Sequence, residues 1–456
     1  MLRVGMESPD HSMDFTKGSI TSNMIKFALP LMAGNLLQQM YNLADAWVVG
    51  KFLGSNALAA VGSSYTLMTF LTSIMLGLCM GSGVSISMEY GRGASQRMRQ
   101  CIFMSFCLIL SVAVVLNIGV YAGLDGILWL LRVPMEVQDG MRMYLQVIFA
   151  GMIATFLYNY CANVLRAVGN SVVPLVFLSL SAVGNVVLDL IAVPVLHLGL
   201  RGAAGATVIA QYAAGIGILV YTLFRVPQLM PRRADCRWSS ALLSDIWKLS
   251  MLTSLQQSIM NFGILMVQGL VNSFGAVTMA AFAAAVKIDS FAYMPVQDFG
   301  NAFSTYVAQN YGAGAFDRIK KGVRSAVCLS GIFCIVISAV VCALAPQLMG
   351  IFISADEQQI IQTGVEYLRI EGACYIGIGI LFLLYGYYRA MNRPMMSVIL
   401  TVASLGTRVV LAYALSAIPV IGVRGIWVSV PIGWALADLI GGGYMLRQRE
   451  RLYGGD

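Results

Sequence analysis

The stretch from Asn35 to Gly50, NLLQQMYNLADAWVVG, decides how the chain is read. It lies inside a long apolar segment and yet carries Asp45. A carboxylate at membrane depth costs about 2.5–3.5 kcal/mol on insertion scales, so as a rule it faces a bundle interior or a wet cavity. Tyr41 and Gln38 precede Asp45 by four and seven residues, which puts all three on one helical face. The plainer alternative is that Asp45 caps a helix end near the outer surface. Pro30, a few turns earlier in the same span, lacks an amide donor and permits a bend; it is the expected hinge.

Composition widens this reading to the whole chain. Of 456 residues, 58% are hydrophobic and 11% charged, with a mean hydropathy of +0.77; a soluble domain carries about 25% charged residues. At about 20 apolar residues per span, the length fits an all-α polytopic membrane protein of twelve transmembrane helices. No alternating ten-residue pattern suggests a barrel. The start lacks a cleavable signal pattern, and residues 1–16 read as a disordered tail. The net charge of +8 invites a nucleic-acid partner, but its placement argues against one. The nine cysteines lie scattered without CxxC spacing and read as small buried hydrophobes. His11 and His197 cannot build a metal site by themselves.

Apolar spans are expected at 25–50, 57–85, 101–122, 142–165, 174–197, 203–225, 246–274, 278–307, 325–346, 362–388, 395–418 and 424–446. The second and eighth are long enough to tilt or break. Arginines and lysines crowd every second loop, among them Arg92, Arg97, Arg99, Arg232, Arg233, Arg237, Arg318, Lys320 and Lys321. The alternate loops hold fewer, mainly Lys51, Arg132, Arg201 and Arg424. This asymmetry predicts cytoplasmic termini.

An internal repeat organises the spans. Gly54 with Leu58-Ala59-Ala60 answers Gly275 with Met279-Ala280-Ala281, and Tyr90-Gly91 answers Tyr311-Gly312, at a shift of 221. Tyr144-Leu145 answers Tyr367-Leu368, Arg166-Ala167 answers Arg389-Ala390, and Gly199-x-Arg201-Gly202 answers Gly422-x-Arg424-Gly425, at a shift of 223. Six spans per half give both halves one orientation, so a pseudo-two-fold axis along the membrane normal is expected, with a cleft between two lobes. The expected division is a tail (1–16), an N-lobe (17–225), a cytoplasmic linker (226–245), a C-lobe (246–446) and a cytoplasmic tail (447–456).

Asp45 should have partners at its own depth. Asn185 and Asp189 stack four apart in the fifth span, and Thr207 lies early in the sixth. At about 1.5 Å per residue, Asp45, Asp189 and Thr207 all fall in the outer half at similar depth. Two acids, an amide oxygen and a hydroxyl offer hard ligands for a proton or a sodium ion. The alternative is that Asn185 and Asp189 only hold helices together, at about 0.6 kcal/mol per contact. The repeat breaks here: Asp45 maps to Met266, Asn185 to Arg408 and Asp189 to Ala412, so the acidic pair belongs to the first half alone. Arg408 then needs a partner, with Glu366, Glu371 and Asp438 as candidates.

The second half offers an amide stripe instead: Gln257, Asn261, Gln268 and Asn272 on the seventh span. With Asn159 and Asn163 on the fourth, Gln38 and Asn42 on the first, and Met266, these are the candidate lining of a wet substrate cleft. Ordinary interhelical packing is the competing reading. Lys287 with Asp289, and Asp298, are further buried charges, and a local neutralising pair is the expectation for them.

Several motifs together resemble the multidrug and toxic compound extrusion (MATE) transporters, nearest the DinF-like prokaryotic branch. They are Tyr41-Asn42-Leu43-Ala44-Asp45 with Ala57-Leu58-Ala59-Ala60-Val61-Gly62, Leu165-Arg166-Ala167-x-Gly169-Asn170, Asn185-x-x-x-Asp189, and Gly202-Ala203-Ala204-Gly205-Ala206-Thr207. The resemblance implies two six-helix lobes and antiport of drugs or organic cations against protons or sodium by alternating access. It implies a coupling site at Asp45, Asn185, Asp189 and Thr207, with Tyr41 beside it, and a bend at Pro30. No cofactor is expected, and a monomer in the lipid bilayer is the simplest assembly. A lipid-linked oligosaccharide flippase of the same superfamily is the alternative; an arginine-rich cleft would be expected of one. A membrane enzyme finds no support, since no HExxH or GxSxG motif occurs.

Overall fold

The internal repeat recurs in the backbone, helix end for helix end. A computed structural model describes residues 12–130 and 135–453; His11, Arg132 and most of the tail expected at 1–16 lie outside the described residues. The helices are α1 (Ile20–Leu53), α2 (Ser55–Arg92), α3 (Ser95–Leu130), α4 (Met135–Ala150), α5 (Met152–Ala167), α6 (Val172–Ala192) and α7 (Gly199–Arg225). After a short turn at Pro227–Leu229 come α8 (Ser240–Asn272), α9 (Ala276–Gly312), α10 (Phe316–Gly350), α11 (Gln358–Gly372), α12 (Tyr375–Ala390), α13 (Pro394–Ser416) and α14 (Arg424–Tyr453). The starts of α4 and α5 and the end of α5 each recur 223 residues later as the starts of α11 and α12 and the end of α12. Left-handed glycines recur too: Gly54 and Gly275 at φ 87° and 94°, Gly93 and Gly314 at 72° and 69°, Gly199 and Gly422 at 61° and 52°.

Among the described residues, eight helices are long and apolar enough to cross a membrane: α2, α3, α6, α7, α9, α10, α13 and α14. The spans expected at 142–165 and 362–388 are each a bent pair, α4 with α5 at 45° and α11 with α12 at 52°. The remaining two, α1 and α8, have 34 and 33 residues, about 50 Å at 1.5 Å per residue. Their polar faces, Asn35 to Asp45 and Gln256 to Asn272, lower their hydropathy without shortening them. With these two the fold has its twelve crossings. α2 and α9 run unbroken, and α1 continues through Pro30 as one helix. Val115, Leu180, Ile335 and Val410 stand exposed on the long helices, a surface that water would not tolerate and lipid covers.

The first bend has a chemical cause. Carbonyls released at a helix break need donors at membrane depth, where water is absent. Here Tyr121 Oη donates to Gln146 O at 2.6 Å, Asn117 Nδ2 to Phe149 O at 2.6 Å, and Tyr212 Oη to Ala150 O at 2.9 Å. The last turn of α4 is thereby held open by side chains from α3 and α7.

The chain forms two compact units. The first holds Leu29–Ser254 with the described residues up to Asp14; the second holds Phe15–Ala28 and Leu255–Asp456. Residues 15–28 thus belong with the C-terminal helices and 226–254 with the N-terminal ones, whereas the lobe expectation draws its lines at 17, 225 and 246. Phe15 does not belong to a disordered tail. It is fully buried, edge-on to Phe27 and Tyr306 at 5.2 and 5.9 Å, and its amide donates to Gln309 Oε1 at 3.1 Å. Arg318 Nη2 donates to the carbonyls of Phe15, Lys17 and Gly18.

In the first unit α2 meets the start of α8 backbone to backbone. A Cβ added at Gly77 or Gly81 would lie 2.4 or 2.5 Å from the Cα of Ser254 or Ser250, and Ser254 Oγ donates to Ile74 O at 3.1 Å. A cluster of Val48, Leu71, Tyr144, Phe149, Val193 and Leu200 forms an apolar core around one end of α1, α4, α6 and α7. In the second unit, Trp427 stacks on Phe282 at 5.5 Å and takes the edge of Tyr367 at 5.0 Å.

Candidate functional site

Within the first unit three helices deliver polar side chains to one apolar region. α1 carries Asp45 there, α6 carries Asn185 and Asp189 one turn apart, and α7 carries Thr207. The carboxyl groups of Asp45 and Asp189 face each other at hydrogen-bonding range. Asp189, Asn185 and Thr207 are buried. Asn185 Nδ2 donates to Thr207 Oγ1 at 3.3 Å, and Thr207 Oγ1 donates to Ala203 O at 3.2 Å.

That chain of donors runs away from the carboxylates and leaves acceptors behind. Asp45 Oδ1, both oxygens of Asp189 and Asn185 Oδ1 are buried without a donor among the described residues. Buried acceptors of this kind are rare and call for an explanation. Ionised carboxylates side by side repel, and a proton or a small cation between them removes the repulsion and supplies what the oxygens lack. The set is all oxygen, with two potential charges, an amide carbonyl and a hydroxyl, a donor set suited to a hard monovalent cation as well as to a proton.

The surroundings add tyrosines. Tyr41, one turn before Asp45, hydrogen-bonds to Gln38 and lies within the electrostatic reach of Asp45. Tyr144 on α4, buried, lies beside Asp45, Asp189 and Tyr41. The sequence does not single Tyr144 out for this role, although its repeat mate Tyr367 and its place in an apolar span are both visible there. The residues expected to couple, Asp45, Asn185, Asp189, Thr207 and Tyr41, are therefore brought together.

The residues expected to line a cleft divide between the two units. Gln38 is exposed and Asn42 half-buried on α1. Asn159 and Asn163 on α5 donate to the carbonyls of Thr155 and Asn159, so their amides close onto their own helix. In the second unit Asn261 donates to Gln257 O at 3.2 Å and Gln268 Nε2 to Asn272 Oδ1 at 2.8 Å, while Met266 is exposed.

The second unit holds a buried charge cluster of its own, which the repeat does not reveal. Asp289 on α9 accepts from Tyr375 Oη at 2.7 Å. Tyr367 hydrogen-bonds to both Asp289 and Glu371, and Arg408 on α13 lies close to both acids. Of the partners considered for Arg408, Glu371 is the one found, joined by Asp289; Glu366 pairs instead with Arg424. The expected local pair of Lys287 with Asp289 does not form: Lys287 Nζ lies 6.0 Å from the ring centroid of Phe352. Two residues along a helix send the two side chains to different neighbours, which nearness in sequence does not disclose.

With this geometry in view, four likenesses bear on the chain. The family model described as MatE matches residues 30–191 and 250–414. The sequence is 29% identical over 393 residues to a probable multidrug resistance protein, YpnP, of Bacillus subtilis (strain 168), covering 86% of this chain and 87% of that one. It is 22% identical over 440 residues, 96% of each chain, to the multidrug export protein MepA of Staphylococcus aureus (strain NCTC 8325 / PS 47). The fold superposes on the crystal structure of MATE in complex with MaL6 with a TM-score of 0.91 at 22% identity, covering 97% of this chain and 99% of the other.

Proposed function

The chain belongs to the MatE family, and on that premise we propose that it is a secondary antiporter exporting drugs or organic cations by alternating access. The named relatives, a multidrug resistance protein and a multidrug export protein, support drug export over the flippase alternative. The observation that carries the coupling half of the proposal is the set of donorless oxygens on Asp45, Asp189 and Asn185. A proton or a sodium ion is the coupling ion, and Asp45 and Asp189 are its ligands. Thr207 holds the amide of Asn185 so that its carbonyl oxygen faces the ion.

Coupling then follows from charge and from the first helix. Ion entry cancels the repulsion between the two acids and lets α1 change its path. Pro30 cannot donate the hydrogen bond that would keep the helix straight. It stands two residues past Ala28, the last α1 residue of the second unit. An organic cation sharing the negative field of Asp45 and Asp189 is displaced as the ion enters, and such competition is what exchange requires. The basic loops support termini that face the cytoplasm, the bacterial relatives support an inner-membrane location, and a monomer is the assembly proposed.

The test is uptake of a fluorescent organic cation into inside-out vesicles under an imposed proton or sodium gradient. Accumulation driven by one of the two gradients is expected. Movement of the dye that ignores both would overturn the proposal.

A further inference from the structure

Between the start of α3 and the start of α8 the first unit holds a cavity of about 630 Å³, within the range of about 300–1,000 Å³ typical of small-ligand sites. Ser95, Gln96, Arg97 and Gln100 line it from α3, and Ser239 and Leu242 from the other side. Gln100 Nε2 donates to Arg237 O at 2.8 Å, which fixes residue 237 at the rim. None of these residues belongs to the candidate coupling site.

The charges around this cavity do not balance. Glu89 Oε1 is shared by Arg92 at 2.5 Å and Arg97 at 3.4 Å, so one carboxylate serves two guanidinium groups. Asp235 is taken by Arg99 at 2.6 Å and by the amide of Arg232 at 3.0 Å. Arg232 also acts on Asp235 through its charge, and Arg233 and Arg237 are exposed and form no ion pair among the described residues. The next charges along α8, Asp245 and Lys248, are of opposite sign. Positive charge is left over beside a cavity whose side chains offer hydroxyl and amide donors.

Two further facts choose the occupant. The cavity lies where spanning helices end, at the level of a membrane interface. Trp238, next to Arg237, is 64% exposed; indole rings favour that level, with one end in lipid and the other in water. We propose that this cavity binds the phosphate headgroup of an anionic phospholipid, with Arg97 as its lining cation, Arg237 at its rim and Trp238 against the acyl-chain region. The guanidinium of Arg97 keeps donors beyond the Nε–H that faces Glu89, and phosphate oxygens match them.

The experiment uses the full-length protein in lipid nanodiscs and native mass spectrometry of protein released from them. In mixed discs it should retain phosphatidylglycerol over phosphatidylcholine. Phosphatidylglycerol brominated in its acyl chains should quench a fluorescence component that Trp238→Phe removes. R97Q/R237Q should weaken retention by about thirtyfold, the loss expected for two basic residues at an anionic surface; K320Q/K321Q, the control elsewhere on the chain, should leave it unchanged. If R97Q/R237Q does not fold, Ser239→Leu, which narrows the cavity without touching a charge, should weaken retention instead. Equal retention of both lipids, or phosphatidylglycerol retention unmoved in every folded variant, would overturn the proposal. So would inorganic phosphate that displaces the lipid at equal concentration, since the site would then be one for free phosphate.

Discussion

Asp45 on α1 and Asp189 on α6 bring their carboxyl groups into hydrogen-bonding range, and no third side chain among the described residues gives Asp45 Oδ1 or either Asp189 oxygen a proton. An amide substituted for one acid supplies the missing donor. Asp45→Asn should therefore leave the folded protein as stable as before, or more so, while it abolishes gradient-driven efflux. Asp189→Asn should do the same, and the double variant should be no worse than either, because the acids act as a unit. Thermal melts and vesicle transport, run together, decide the matter; full transport by a well-folded Asp45→Asn protein would sink the coupling role.

The charge cluster of the second unit predicts a rescue. Arg408→Gln leaves Asp289 and Glu371 facing one another with only tyrosines for relief. Removing the nearby positive charge that offsets two buried acids is expected to cost up to about 3–5 kcal/mol, the range for leaving a buried charge uncompensated. Adding Glu371→Gln removes the second charge and should restore most of that loss in chemical unfolding. A double variant no more stable than Arg408→Gln alone would show that charge balance is not what holds the cluster.

The bend between α4 and α5 rests on three donated hydrogen bonds, so each donor can be removed singly. Tyr212→Phe keeps the ring and strands the carbonyl of Ala150 in an apolar setting. A loss of about 1–3 kcal/mol is expected, the cost of leaving a carbonyl without a donor where lipid rather than water surrounds it. Asn117→Leu should act alike through Phe149 O. Stability unchanged in both variants would mean that the break needs no side-chain donors.

Asp235, in the segment between α7 and α8, makes a prediction in pH. The Arg99 guanidinium beside it, helped by the Arg232 amide, holds its carboxyl below the ordinary carboxylate value. A lowered folded-state value means that the contact stabilises fully above the unfolded-state pKa of about 4 and fades as pH falls through the folded value. The stability difference between the protein and its Asp235→Asn variant should be flat from about pH 8 to 5 and shrink below about 4. A difference that grows on acidification would reverse the sign and refute the pairing.

Much of this architecture is legible in the amino-acid sequence alone. The four-residue spacing of Asn185 and Asp189, with depth counted along each span, places Asp45, Asp189 and Thr207 together. Such counting works because a spanning helix turns sequence distance into depth almost linearly. The breaks at Gly151 and at Ala373–Cys374 are not legible, since the apolar runs continue across them and no proline marks either. The donors that hold the first of them, such as Tyr121 and Tyr212, come from other helices. Partner choice for Asp289, Glu371 and Arg408 is hidden for the same reason: periodicity tells which face a residue takes, while packing tells what that face meets. Phe15 is lost in a polar tail because one aromatic residue carries no period at all.

The assignment of residues 15–28 to the second unit and 240–254 to the first has a consequence for how the protein is made. Synthesis runs from the N-terminus, so the first unit cannot close on the ribosome when α7 is complete. It waits for Ser250 and Ser254, whose backbone fills the space against Gly81 and Gly77. The opening segment waits much longer: Phe15 lacks the aromatic seat of Tyr306 until that residue has emerged. During most of translation that segment is therefore without its packing partners. Severing the gene between α7 and α8 would give two products, each carrying a piece of the other's core and lacking a piece of its own.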